Sequence, residues 1–194
     1  MAAIEAEGRS ASNRQALIIV AIFVAAVVAS LPLYSYEWHL MLHIFGAVIF
    51  LGNFIVTAMW MALAERTRES SVIHFASKSV GWADQVFTGP GVVLVLLNGM
   101  ALAADRWGGW GSFHETGWIT AGLLLFAASG LVWVGFLQRY QSTLVRLSKE
   151  AVDTGAGLSD EFFDALHMWY FWGVVAIILP LVSLALMVFK PELW

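Results

Sequence analysis

Residues 40–63 read LMLHIFGAVIFLGNFIVTAMWMAL, a run without a single Lys, Arg, Asp or Glu. A helix of that length crosses the ~30 Å hydrocarbon core of a bilayer at ~1.5 Å per residue. Four more stretches share its character: Ala16 to Tyr34, Val86 to Ala104, Trp118 to Leu137 and Met168 to Phe189. Apolar residues make up 60% of the chain and charged residues 12%, with a mean hydropathy of +0.77; a soluble domain carries roughly 25% charged residues. Lipid is therefore the solvent for most of the chain. Backbone groups in lipid must be satisfied internally, and the period-two alternation of a barrel strand is missing, so the spans are helices. The expected fold is an all-α integral membrane bundle of five transmembrane helices, a four-helix core over 38–194 plus an extra span over 16–34.

Polarity sets the orientation. With a cytoplasmic N-terminus, the inner segments hold Arg9, Arg14, Arg66, Arg68, Lys78, Arg139, Arg146 and Lys149, and only Arg106 and Lys190 lie outside. That asymmetry satisfies the positive-inside rule and places the C-terminus outside. Tyr34, Tyr36, Trp38, Trp107, Trp110, Trp118 and Trp194 then form an outer aromatic belt, and Trp60, Trp82 and Trp169 an inner one. Residues 1–15 are a polar cytoplasmic segment, and the apolar run after them lacks a small-x-small cleavage site, so it reads as a retained span.

Between the second and third spans, Ser71 to Gln85 carries Ile73, Ala76 and Val80 at helical spacing, with Ser77, Lys78 and Asp84 on other faces. It reads as a cytoplasmic amphipathic helix lying along the membrane. The fourth span continues as a helix to about Glu150, with Tyr140, Leu144 and Leu147 as its apolar stripe. Asp153 to Gly157 makes a turn, and Ser159 with Asp160 and Glu161 starts the last helix, which Pro180 should kink.

The polar residues within the spans carry the functional signal. His39, His43, Gly46, Asn53 and Thr57 recur at three- and four-residue steps, interrupted by Phe50, so they share one helix face. Asp84, Thr88, Gly91 and Asn98 form a matching stripe on the antiparallel third span, with Asn98 near the depth of His43. One reading makes the glycines close-approach points and Asn53 and Asn98 interhelical glue; the other makes Asn53, Asn98 and His43 a cofactor-binding set. His39 and His43, an i, i+4 pair, together with His114 from the next outer loop, form a candidate site for haem or for a copper or zinc ion. At the inner end Asp84, Asp164 and His167 form a second polar cluster, suited to taking up protons or a cation. His43 and His167 lie about 20 Å apart along the bilayer normal, too far to share one haem. His74 reads as a surface residue, and Met168 to Trp172 as an interfacial aromatic run or the wall of a flat cofactor site.

Three segments, Leu42 to Ala47, Asp84 to Gly91 and Met187 to Pro191, resemble in sequence and order a bacterial family of predicted integral membrane proteins of unknown function, number 2269, over about Trp38 to Pro191. That family's core looks like four helices. It is distantly similar to the HemJ-type protoporphyrinogen oxidases and the CopD copper-resistance proteins. The HemJ-type likeness implies a haem b on His43 and a lysine on the next-but-one helix, where Trp118 to Gly122 has none. The bacterial resemblance implies the cytoplasmic (inner) membrane.

A net charge of −4 without a basic run excludes nucleic acid as a partner, and the absence of cysteine excludes disulfides and thiolate metal sites. No Ser-His-Asp order, P-loop, dinucleotide fingerprint or catalytic carboxylate pair is present, so no catalytic residue is assigned. Three functions remain. The chain is an accessory or scaffold subunit against other membrane subunits or a second copy, a haem- or metal-binding redox protein centred on His43, or a small oligomeric transporter.

Overall fold

The protein is described by a computed structural model that covers residues 21, 23, 25, 27–29, 35–106 and 115–194. Among the described residues from Ser35 onward six α-helices follow one another: α1 (Tyr36–Thr67), α2 (Ser70–Ala83), α3 (Gly89–Arg106), α4 (Gly117–Val132), α5 (Gln138–Thr154) and α6 (Asp160–Phe189). Two π-helical turns, Asp84–Thr88 and Trp133–Leu137, join α2 to α3 and α4 to α5 without a break. The long helices therefore run Tyr36–Thr67, Ser70–Arg106, Gly117–Thr154 and Asp160–Phe189, and all four are long and apolar enough to cross a membrane. The described residues show four spans and no strand; the fifth, Ala16 to Tyr34, falls largely outside them, as do His114, Trp107 and Trp110.

Local chemistry explains the boundaries. Arg68 ends α1 in the left-handed conformation (φ 56°), its N–H bonded to the Glu65 carbonyl. Gly155 takes the same role after α5 with φ 67°, where glycine alone escapes the Cβ clash. Ser159 caps α6, its Oγ accepting from the Phe162 N–H, as the sequence predicts.

The spans associate as two tight antiparallel pairs. Between α1 and α3, a Cβ added to Gly46 would sit 2.7 Å from Leu94 Cβ and 2.9 Å from the Gly91 carbonyl oxygen, so only glycine permits this backbone approach. Between α4 and α6, Ser183 Oγ donates to the Gly122 carbonyl at 3.0 Å and Ser129 Oγ to the Ala176 carbonyl at 2.6 Å. The second bond has a specific cause. Pro180 has no N–H to offer the carbonyl four residues earlier, and in lipid that orphan oxygen needs another donor. Ser129 supplies it from the neighbouring helix.

The arginine-rich ends of the helices extend past the apolar spans and build a second kind of core. Met61, Ile73, Val80, Leu144, Phe162 and Leu166 meet there, drawn from α1, α2, α5 and α6. This corrects the surface-helix expectation for Ser71 to Gln85: its Ile73, Ala76 and Val80 face packs on protein, and Ser77 is fully buried with it. A helix on a lipid surface would leave α5's apolar stripe, Leu144 and Leu147, without cover, and pairing the two amphipathic faces removes both from water. Trp169 also lies in this core at 8% exposure instead of at an interface. In the spans only 17–33% of each apolar window is buried by protein, and Ile44, Val48, Leu124 and Leu131 point outward. Lipid must cover the rest.

Candidate functional site

The two polar stripes on α1 and α3 meet along their whole length. His39 Nδ1 donates to Asn98 Oδ1 at 2.8 Å, and Asn98 Nδ2 donates back to the Leu94 carbonyl of its own helix. His43 Nδ1 donates to the Val95 carbonyl at 2.8 Å, with its ring against Gly99. Both acceptors are carbonyl oxygens, so both rings carry the proton on Nδ1. Asn98 is therefore the partner of His39, one helical turn from His43. Phe50, which interrupts the stripe, fills the space over Gly91 and touches Phe126 of α4 across the bundle.

Farther along the same interface lies a polar knot. Asn53 Nδ2 donates to Asp84 Oδ1 and to Thr88 Oγ1, both at 2.9 Å, and Thr88 Oγ1 donates to Asp84 Oδ1 at 3.0 Å. The Trp133 side chain on the other helix pair lies beside Asp84 and lines the same cleft. Asp84 and Trp133 are the first residues of the two π-turns, so both helices are locally widened at one level and their carboxylate and indole meet there. A π-turn leaves a carbonyl without its usual donor and often marks a functional position. Among the described residues no Lys, Arg or His lies within ion-pairing distance of Asp84.

This level opens into a cleft of about 1140 Å³ between the helix pairs. Asp84, Trp133 and Leu137 lie at its waist; Phe54, Ile55 and Val174 make its apolar wall, and Gln138 and Gln141 are polar lining. Gln141 Nε2 is tied to the Ser77 carbonyl, while its Oε1 is buried with no partner. At the mouth, Lys149 pairs with Asp153 at 2.6 Å, and Arg146 pairs with Glu161 at 3.0 Å and Glu150 at 3.9 Å.

The remaining sequence candidates fall elsewhere. Asp164 and His167 are exposed on α6, and no bond joins either to Asp84, so the expected inner cluster is not assembled by the described residues. His39 and His43 share a helix face, but His114 lies outside the described residues, and those residues hold no group of three metal-ligating side chains. His74 is half-buried and bonded to Ser148 at 3.0 Å, not a free surface residue. In the aromatic run, Trp172 stacks on Phe136 at 3.9 Å while Phe171 stands edge-on to it. Trp133 and Gln141 were not singled out in the sequence. A glutamine where the apolar span gives way to α5 is the signal that points to the latter.

Long apolar helices covered by lipid, with their polar groups turned to one another, define an integral membrane protein built on a four-helix bundle. The chain belongs to the family described as predicted integral membrane protein (DUF2269), whose model matches residues 38–191. No curated protein and no solved structure matches the chain. These matches do not show the more distant likeness to HemJ- and CopD-type proteins.

Proposed function

We propose that this protein is an accessory subunit of the bacterial cytoplasmic membrane whose working site is the cleft at Asp84, where a ligand or a partner's side chain docks between the two helix pairs. One observation carries the reading: a half-buried carboxylate at the inner end of the third span lines a cleft large enough for a small molecule, at the level where both long helices are widened by π-turns. Ionisable groups within spans are expensive and mark working sites, and clefts of ~300–1,000 Å³ with few polar groups are the usual form of binding sites. The positive-inside asymmetry supports a cytoplasmic arginine-rich end, next to the cleft mouth.

Gly173 lines the cleft, and a Cβ there meets nothing closer than Leu137 Cδ2 at 3.9 Å. Gly173→Phe should therefore fold and fill the cleft. Native mass spectrometry from lipid nanodiscs is expected to show a retained small-molecule adduct on the wild type and none on this variant. Identical spectra would refute the reading.

A second reading, haem or a metal at His43, is supported by its Nδ1–H···O=C bond to Val95, because liganding histidines commonly anchor one ring nitrogen on a carbonyl and offer the other. A Soret band or bound metal lost in His43→Ala would establish it, and a colourless, metal-free protein from haem- and metal-supplemented cells would remove it.

A further inference from the structure

We propose that the cleft at Asp84 takes a cationic amphiphile: a protonated amine carried on an apolar body. The inference rests on the reading of that cleft as the working site and adds the chemistry of its occupant.

Consider first the charge. The four ionised residues lining the mouth, Arg146, Lys149, Glu150 and Asp153, are two of each sign and are paired on the surface, Arg146 also with Glu161. They cancel, and Asp84 is the further carboxyl group of the lining, with no charged partner among the described residues. Its hydrogen-bond partners, Asn53 and Thr88, are both neutral donors, which hold the carboxylate in place but bring no positive charge. A half-buried carboxylate is stabilised more by a cation than by neutral donors, because attraction between opposite charges grows as the local dielectric falls.

Consider next the hydrogen bonding. Gln141 is fixed by its Nε2 bond to Ser77, so its amide cannot turn to present a donor without breaking that bond. What remains is Oε1, a buried acceptor lacking any donor. A buried acceptor without a donor is costly, and a ligand that donates to it recovers that cost. Asp84 and Gln141 thus both line one cleft, whose wall of Phe54, Ile55 and Val174 is apolar. An ammonium on a hydrocarbon frame satisfies all three demands, whereas an anion would meet Asp84 and a pure hydrocarbon would leave both acceptors unmet.

The test compares 1-aminoadamantane, cationic at pH 7, with 1-adamantanol, the neutral molecule of the same shape, by titration calorimetry on the protein in lipid nanodiscs against empty discs. The wild type should bind the amine at least about tenfold tighter than the alcohol, the scale of one favourable buried charge contact. Asp84→Asn keeps the size and much of the hydrogen bonding and should bring the two affinities within about threefold. Should that variant fail to fold, Gln141→Leu leaves the Asn53–Asp84 knot untouched and is expected to weaken the amine several-fold and the alcohol less. Equal wild-type affinities, or an amine affinity indifferent to both substitutions, would overturn the inference. If both probes still lose binding in Gly173→Phe, the cleft itself survives as a site and only its cationic preference falls. If neither probe binds, or Gly173→Phe changes nothing, the cleft reading falls with it.

Discussion

The same chemical change, one added methyl, should act with opposite signs at two glycines of α1 that are six residues apart. At Gly46 a Cβ would lie 2.7 Å from Leu94 Cβ, 2.9 Å from the Gly91 carbonyl oxygen and 3.0 Å from the Val95 nitrogen. Two of these are backbone atoms that no rotamer change can move. Restoring ordinary carbon contacts of ~3.5–4.0 Å requires α1 and α3 to part by about 1 Å. The bonds that span this interface, His39–Asn98 at 2.8 Å, His43–Val95 at 2.8 Å and Asn53–Asp84 at 2.9 Å, would then be stretched beyond hydrogen-bonding range. Overpacking costs about 1–3 kcal/mol, and each lost intramembrane bond about 0.6 kcal/mol. Ala gains roughly 1 kcal/mol over Gly in helix propensity. The net expectation for Gly46→Ala is a loss of about 2–4 kcal/mol. At Gly52 nothing lies within 4 Å, so Gly52→Ala keeps only the propensity gain of up to about 1 kcal/mol. Unfolding in mixed micelles by titration with a denaturing detergent, followed by helical circular dichroism, measures both. A Gly46→Ala variant as stable as Gly52→Ala would refute the close-packed α1–α3 interface.

Two further outcomes test the other pair. Ser129→Ala strands the Ala176 carbonyl beside Pro180 and should cost about 1–2 kcal/mol; in a Pro180→Ala background the helix supplies its own N–H, and most of that cost should vanish in a double-mutant cycle. Gly122→Ala places its methyl 2.7 Å from Met187 Cε, the tip of a flexible side chain, so the same unfolding titration should show a loss of no more than about 1 kcal/mol, well below that of Gly46→Ala.

What the sequence disclosed and what it concealed divide along a physical line. The four described spans, the continuation of α5 to Thr154 and the Ser159 cap were legible because each depends on composition or on a few neighbouring residues. The α1–α3 interface was legible too, since stripes at three- and four-residue spacing name the face that turns inward. Register was not: His43 bonds a backbone carbonyl, and a carbonyl has no sequence signature. The π-turns demand no residue type, so the level at which Asp84 and Trp133 meet could not be read from either segment. Trp169 shows a third limit, because an aromatic residue near a helix end serves a membrane interface or a protein core equally well, and only the packing of α2 and α5 decides for the core. The Ser129–Ala176 bond joins residues far apart in sequence, and Pro180 disclosed the unmet carbonyl without naming its donor.

The placement of these bonds also determines how the bundle yields. Within each pair, backbones approach at glycine, and hydrogen bonds run between the helices along the spans. Between the pairs, away from the arginine-rich core, the described contacts are lighter: the Phe50–Phe126 rings at 5.6 Å and the approach of Trp133 to Asp84. At the arginine-rich end the pairs are joined again by the core around Leu144, Phe162 and Leu166. Separating helices within a pair breaks several bonds and exposes polar groups to lipid, whereas rotating one pair against the other about that core breaks chiefly the waist contacts. The π-turns interrupt regular i to i+4 bonding at this same level, which lowers the cost of bending there. The softest motion of the molecule is thus a change in the angle between two stiff pairs, and it widens or narrows the cleft that holds Asp84. A ligand seated between Asp84 and Trp133 acts directly on the contact that sets that angle.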